Sequence, residues 1–437
     1  MDFDLAKDNQ VYICPCIYRT DEEVKMPAEA KDALNRQSVN PQSSWIARGQ
    51  NVLMNTYASF PLVLKSGSGS YVQDVTGKQY LDFVSGIAVN SLGHCHPEII
   101  AAVTSQMRTL THCSNLYLNM PAIDLAESLV RDSVFSRAFF CNSGTEAIEA
   151  ALKLSRKFAK SVKGDACTKI LTLKNSFHGR TYGALSATGQ SKYHEGYHPL
   201  VPDCHSFSPE ELDGIDPAPV AAIMVEPIQG EGGIHVLDST FLKKLRAFCT
   251  TNKIVFVFDE VQCGVGRTGA FFAYEKMAVE PDIVALAKGL GGGFPIGAML
   301  AKEEFAQAFK PGDHGSTFGG NPAACSAALA VVQIVRQPEF LASIIDKSQI
   351  LFQALEELKQ TNPAIIQVRG LGLLVGVEFD APVKPIINAC IEKGLLVVGA
   401  GERVIRLLPP LTVTAEEIGQ AVSILTQVLS EPTTPLQ

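Results

Sequence analysis

No apolar run in this sequence approaches the ~18 residues of a membrane-crossing helix, so a helical membrane protein is not expected. Surplus positive charge is also missing. With 37 Lys and Arg against 45 Asp and Glu, the net charge is −8, which disfavours a protein that grips a phosphate backbone. The 11 cysteines are odd in number and scattered through apolar segments, so they do not form a disulfide framework and read as free thiols in a reducing compartment. Cys14-Pro-Cys16 is too close and too isolated to count as a metal site. The opening MDFDLAKDNQ lacks an apolar signal core and the Arg/Ser-rich, acid-poor character of a transit peptide. The expected location is the cytoplasm, or a mitochondrial or plastid matrix if a transit peptide has been removed. Internal repeats and low-complexity tracts are absent.

What remains is an ordinary globular composition, 46% apolar and 19% charged over 437 residues, enough for two or three domains with substantial cores. Residues 1–50 are mixed polar sequence and read as an extension with one short helix. From residue 51 onward, apolar runs alternate with helical patterns. RAFFCN (137–142), KILTLKN (169–175), VAAIMVEP (220–227), KIVFVFDE (253–260) and DIVALAK (282–288) are strand-like. TEAIEAALKLSRKFAK (145–160) and STFLKKLRAFCTTN (239–252) are helix-like. Continuous apolar strands separated by helices imply a mostly parallel sheet covered on both faces, in an α/β fold. The tail, with RGLGLLVGVEFD (369–380) and TAEEIGQAVSILTQVL, reads as a smaller α/β domain, which a hairpin at 71–86 joins. The expected divisions are an extension (1–50), the N-terminal part of the small domain (51–95), a large domain (96–335) and the C-terminal small domain (336–437).

Ligands in such sheets sit at the carboxyl ends of strands. Here the strands run out into Ser143, Phe177-His178, Glu226, Asp259 and Lys288, as if onto one shared site. Three matches to familiar strings are set aside. HEGYH (194–198) has the zincin pattern, but Gly196 and Pro199 argue against the helix that would bring both histidines to one face. GVGRTG (264–269) lacks the helix opening and later acid of a dinucleotide site. His94-Cys95-His96 with His112-Cys113 reads as loop or pocket lining rather than a metal site.

The chemistry is carried by a set of three. Ser143-Gly144-Thr145 stands at the mouth of a helix, where free N–H groups and the helix dipole suit a phosphate, or where a Ser/Thr simply caps the helix. Asp259 ends a fully apolar strand, so its carboxylate needs a cation: a protonated pyridine nitrogen, or a structural partner such as Arg267. Lys288 ends another apolar run and enters a glycine cluster. It is either a solvated strand-end lysine or an amine whose pKa falls so that it can condense with an aldehyde. One cofactor needs anion cradle, carboxylate and amine together: pyridoxal 5'-phosphate.

Eight segments in order carry a resemblance: GIAVNSLGHCHP (86–97), CNSGTEA (141–147), NSFHGRTYGALSATG (175–189), VEPIQGEGG (225–233), FDEVQCGVGRTG (258–269), LAKGLGGGFPIGAM (286–299), HGSTFGGNP (314–322) and IRLLPPL (405–411). From about residue 55 to 430 the chain resembles the class III (subgroup II) pyridoxal-phosphate aminotransferases, most closely the acetylornithine branch. The resemblance implies the fold-type I PLP-dependent transferase architecture, with the large domain binding the cofactor. Lys288 would hold the cofactor and shuttle the proton, and Asp259 would pair with the ring nitrogen. Gln262 would bond the ring's 3-oxygen, and Phe177 would stack on the ring, with His178 beside it. Ser143, Gly144 and Thr145 would hold the phosphate, and Thr317 would reach it from the other subunit of a homodimer. Arg180 would grip the α-carboxylate of an amino acid. Glu231 would pair with Arg406 while an ω-amine is bound and release it for 2-oxoglutarate.

The implied activity is transfer of the terminal amino group of N2-acetyl-L-ornithine to 2-oxoglutarate, with no nucleic acid or membrane partner. The alternative is another ω-amine transaminase, acting on 4-aminobutyrate, ornithine, succinylornithine or a specialised-metabolite amine. Asn115, Tyr117 and Gly399 would line the pocket wall that decides between them. Ile148 departs from the Asn common after SGTEA in this branch and reads as packing.

Overall fold

The structure, a computed structural model, describes residues 41–431; residues 1–40, which include Cys14-Pro-Cys16, and 432–437 lie outside the described part. Two compact units are distinguished, one ending at Val63 and the other running from Leu64. Within the described residues, the first contains the helix Pro41–Val52, where a short helix in the extension was expected. Its only tryptophan, Trp45, is half exposed and lies against the Arg48 guanidinium.

The second unit is organised by a seven-stranded sheet. Its order is Arg137–Cys141, Gly297–Ala301, Ile283–Leu286, Val255–Asp259, Val220–Val225, Lys169–Leu173, Cys204–Phe207. All contacts are parallel except those of Gly297–Ala301, which runs antiparallel to both neighbours. All five strands read from the sequence are present. Gly297–Ala301 and Cys204–Phe207 went unread. GAMLA is short and follows a glycine-rich turn, and CHSF has two exposed polar residues, so neither carries the β-branched signature. VFVFD at 255–259 is buried on every residue, as expected for a strand covered on both faces.

The helix Gly144–Lys163 packs on this sheet through Ala147, Ile148, Ala151, Leu154 and Ala159. Ile148 is fully buried, so its departure from Asn serves packing. The Ser143 hydroxyl accepts from Glu146 N at 3.3 Å, and Gly164 at φ +92 ends the helix. Asp238 caps Ser239–Thr251 in the same way.

A second, four-stranded sheet (Ile365–Leu371, Leu374–Phe379, Val404–Leu407, Val398–Gly399) is antiparallel throughout and carries Arg406. The N-terminal hairpin Tyr71–Asp74/Gln79–Asp82 belongs to a third sheet, where Leu395–Leu396 from the tail pairs with Gln79–Asp82. Segments more than 300 residues apart in the chain are therefore hydrogen-bonded into one sheet. No single helix among the described residues is long and apolar enough to cross a membrane.

Candidate active site

The carboxyl ends of the parallel strands open onto a cavity of about 460 Å3 lined by Ser143, Gly144, Thr145, Phe177, His178, Arg180, Glu226, Glu231, Asp259, Gln262 and Lys288. It thus gathers nearly every residue singled out from the sequence. Asp259 is the last residue of its strand, and its Oδ2 lies 2.7 Å from His178 Nδ1. Its Oδ1 accepts from Val261 N at 3.0 Å. The structural partner is therefore His178 and not Arg267, which is buried elsewhere and donates to the carbonyls of Leu373 and Pro409. Burial disfavours the protonated imidazole of His178, but the hydrogen bond and charge of Asp259, with Glu226, outweigh it and raise its pKa. The other ring nitrogen, Nε2, is buried without a partner among the described residues.

Lys288 follows Ile283–Leu286 and opens a short 3-10 turn at φ +39, a left-handed backbone that is costly for a side chain with a Cβ. It is partly accessible from the cavity. Burial of the amine, reinforced by the Arg406 charge, lowers its pKa, against the opposing pull of Glu231, Asp259 and Glu226. A solvated strand-end lysine would feel none of this.

Two glycines shape the phosphate end. A Cβ on Gly144 would lie 2.7 Å from Val261 Cγ1, and one on Gly179, at φ +138, would lie 2.4 Å from Thr145 Oγ1. Thr145 Oγ1 pairs with Thr181 Oγ1 at 2.8 Å and accepts from the N–H groups of Arg180 and Thr181, tying the helix mouth to the 178–181 turn. The N–H groups of Gly144 and Thr145 have no partner among the described residues. Ser143 is both helix cap and cavity wall.

Behind the lining residues Glu231 and Gln262, buried Arg406 donates through Nη1 to Glu231 Oε1 at 2.6 Å and to Gln262 Oε1 at 3.2 Å, while Nη2 donates to the Gly399 carbonyl at 3.4 Å. Burial pushes the Glu231 carboxyl up, but Arg406, with Lys288 and Lys192, holds it below the usual range. Arg180 makes no ion pair among the described residues; its guanidinium lies over the rings of Tyr193 and Phe177.

Thr317, Asn115 and Tyr117 are exposed and do not line this cavity of their own chain. Asn115 instead donates to the carbonyls of Ser316 and Gly319, in the segment that bears Thr317. Glu226 was read from the sequence only as a strand end facing the shared site, with no chemical role. It accepts from Phe177 N at 2.8 Å and Gly230 N at 3.4 Å, and burial raises its pKa to about 7. Its one visible signal was a carboxylate directly after a six-residue apolar strand. HEGYH is a turn following the 3-10 segment Ser191–Tyr193, so its histidines share no helical face.

The residues present fit pyridoxal 5'-phosphate. A helix mouth with two free N–H groups and no room for a side chain suits its phosphate. Asp259, backed by His178, suits a protonated ring nitrogen, and an amine of lowered pKa suits an aldehyde.

The Aminotransferase class-III model matches residues 52–429. The chain is 50% identical over 379 residues to the acetylornithine aminotransferase of Clostridium acetobutylicum, covering 86% of this chain and 98% of that relative. It is 46% identical over 393 residues to that of Methanocaldococcus jannaschii, covering 89% and 99%. Among solved structures, the ornithine aminotransferase of Toxoplasma gondii superposes with a TM-score of 0.85 at 31% identity, over 92% of this chain and 97% of that one. The acetylornithine aminotransferase of Elizabethkingia anophelis superposes with a TM-score of 0.80 at 32% identity, over 89% and 98%. With its lysine, aspartate and helix mouth converging on one cavity, the chain belongs to the class-III aminotransferase family.

Proposed function

We propose that the protein transfers the terminal amino group of N2-acetyl-L-ornithine to 2-oxoglutarate, giving N-acetyl-L-glutamate 5-semialdehyde and L-glutamate, a step of arginine biosynthesis. The observation that carries this reading is the state of the two arginines at the cavity. One free arginine, Arg180, and one arginine masked by an acid, Arg406 with Glu231, suit a pocket that must accept one carboxylate in one half-reaction and two in the other.

Bound pyridoxal phosphate supplies an aldehyde that takes up the amino group and a ring that draws electrons from the substrate carbon. The chain does the rest. Gly144 and Thr145 N–H groups, with the Ser143 turn, hold the phosphate. Asp259, steadied by His178, would keep the ring nitrogen protonated. Gln262 and Phe177, which both line the cavity, would hold the ring, the one by hydrogen bonding and the other by stacking. Lys288 Nζ holds the cofactor at rest. As a neutral amine it then takes the proton from the substrate carbon and returns it. Arg180 orients the α-carboxylate of acetylornithine, which presents its terminal amine to the centre. With 2-oxoglutarate, Glu231 swings away and Arg406 receives the second carboxylate.

The site is completed by a second copy of the chain, whose Thr317 reaches the phosphate. Supporting this, Leu116, Tyr117, Leu118 and Met120 form an exposed apolar run, with Phe318 exposed beside Thr317. The nine cysteines among the described residues are all unpaired, which supports a reducing compartment such as the cytoplasm.

A donor panel with 2-oxoglutarate tests the reading. Acetylornithine should give a higher kcat/KM than ornithine, 4-aminobutyrate or longer diamines. A higher value for any of these would reassign the donor while leaving the aminotransferase in place.

A further inference from the structure

Arg180 lines the cavity and makes no ion pair among the described residues, and its guanidinium is long, exposed and rotatable. A bidentate grip on a carboxylate demands that the fork be held in place beforehand. What holds it is aromatic. The Arg180 guanidinium carbon lies 4.3 Å from the centre of the Tyr193 ring and 5.4 Å from that of Phe177. The two rings meet edge-on, 5.6 Å apart at 73°, so the cation rests in the angle between them.

Tyr193 is itself anchored. It ends the 3-10 turn Ser191–Tyr193, and the next residue, His194, sets its Nε2 2.9 Å from the Leu185 carbonyl. Gln190 Nε2, just before the turn, donates to the carbonyls of Asn175 and Ser176 at 3.1 and 3.2 Å. The turn carrying Tyr193 is thereby bonded to the turn carrying Phe177. The first histidine of the misleading HEGYH string, His194, belongs to this scaffold.

We infer that Tyr193 is a positioning residue: its ring is a platform that orients Arg180 for the substrate's α-carboxylate, so that it sets selectivity for carboxylate-bearing donors over simple amines. This rests on the assignment of Arg180 to that carboxylate. The hydroxyl has no part in it; only the π face does. A cation–π contact of this kind is worth ~0.5–2 kcal/mol, which is roughly 2- to 30-fold in affinity.

The test uses the holoenzyme and two donors differing only in the carboxylate: acetylornithine, and N-acetyl-1,4-diaminobutane, which is acetylornithine without it. Affinity for the second is read as KM if it turns over and as a competitive Ki if it does not. Tyr193→Leu should raise KM for acetylornithine roughly 2- to 30-fold, with little change in kcat, and leave the affinity for the decarboxylated donor unchanged. Tyr193→Phe, which keeps the ring, should behave as wild type. Gln190→Ala, which unties the turn without touching the ring, should shift the same ratio in the same direction and covers the case in which the leucine variant does not fold. Equal losses with both donors, or no loss with either, would overturn the platform. Arg180→Leu run alongside separates the two claims. If it fails to discriminate between the donors, the carboxylate assignment is wrong; if it discriminates and the Tyr193 and Gln190 variants do not, only the platform is.

Discussion

Replacing Glu231 by glutamine removes one negative charge from the cavity wall and keeps its shape. In the folded protein the carboxylate lies 2.6 Å from Arg406 Nη1, with the arginine side chain 1% exposed and the glutamate 25%. Breaking a buried ion pair costs about 3–5 kcal/mol, because the surviving charge stays desolvated. Arg406 keeps Gln262 and the Gly399 carbonyl, and the glutamine oxygen still accepts, so the lower end, about 3 kcal/mol, applies. At the usual unfolding entropy per residue, a chain of this size loses about 3 °C in its unfolding midpoint. The loss has a pH signature. Burial raises the Glu231 pKa, but Arg406 outweighs it and leaves it below its ordinary 4.5. The stabilisation is therefore present above that value and vanishes as pH falls through the lower folded pKa, so wild type and variant converge in acid.

The functional effect is opposite in sign for one substrate. Arg406, relieved of its internal competitor, meets the second carboxylate of glutamate more readily. If about half of the 3 kcal/mol is recovered in that encounter, glutamate gains roughly tenfold in kcat/KM relative to acetylornithine. Rapid-mixing absorbance of the visible cofactor band, one half-reaction at a time, reads this ratio directly. A lowered midpoint with an unchanged ratio of donors would refute the movable-pair reasoning, since it would show the ion pair to be structural only.

Two further outcomes follow from the geometry. In Asp259→Asn the charge that raises the His178 pKa is gone. The stabilisation from a raised histidine is complete below its unfolded value of 6.5 and lost as pH rises through the folded value, so the midpoint gap between wild type and variant should narrow as pH rises from 6 to 9; a constant gap would argue against a protonated His178–Asp259 pair. Leu118→Asp places a charge in the exposed run Leu116–Met120, and sedimentation should find monomers that retain cofactor poorly; a fully active dimer would remove this face from the interface.

Periodicity made the parallel strands legible, because strands such as Val255–Asp259 and Val220–Val225 are buried on both faces and must be apolar throughout. It did not reveal Gly297–Ala301, whose small residues owe their place to neighbours on both sides rather than to any pattern of their own. The amine, carboxylate and helix mouth were legible for a related reason: each ends an apolar run, where a polar residue needs an explanation. Partners were not. Nothing in the chain near Asp259 says that His178, 2.7 Å away, rather than Arg267, answers its charge. Nor could the sequence say on which side Asn115 and Tyr117 stand: both are exposed on the chain that bears them, outside its own cavity.

By itself the sequence determined the element types, the cofactor chemistry and the family, because these depend on residue kinds at short spacing and on the order of motifs. The tertiary structure alone decided the electrostatics: Lys288 loses proton affinity through burial and through Arg406, and Glu231 keeps its charge through the same arginine. Those effects depend on distance and desolvation between residues far apart in the chain, which no linear spacing encodes.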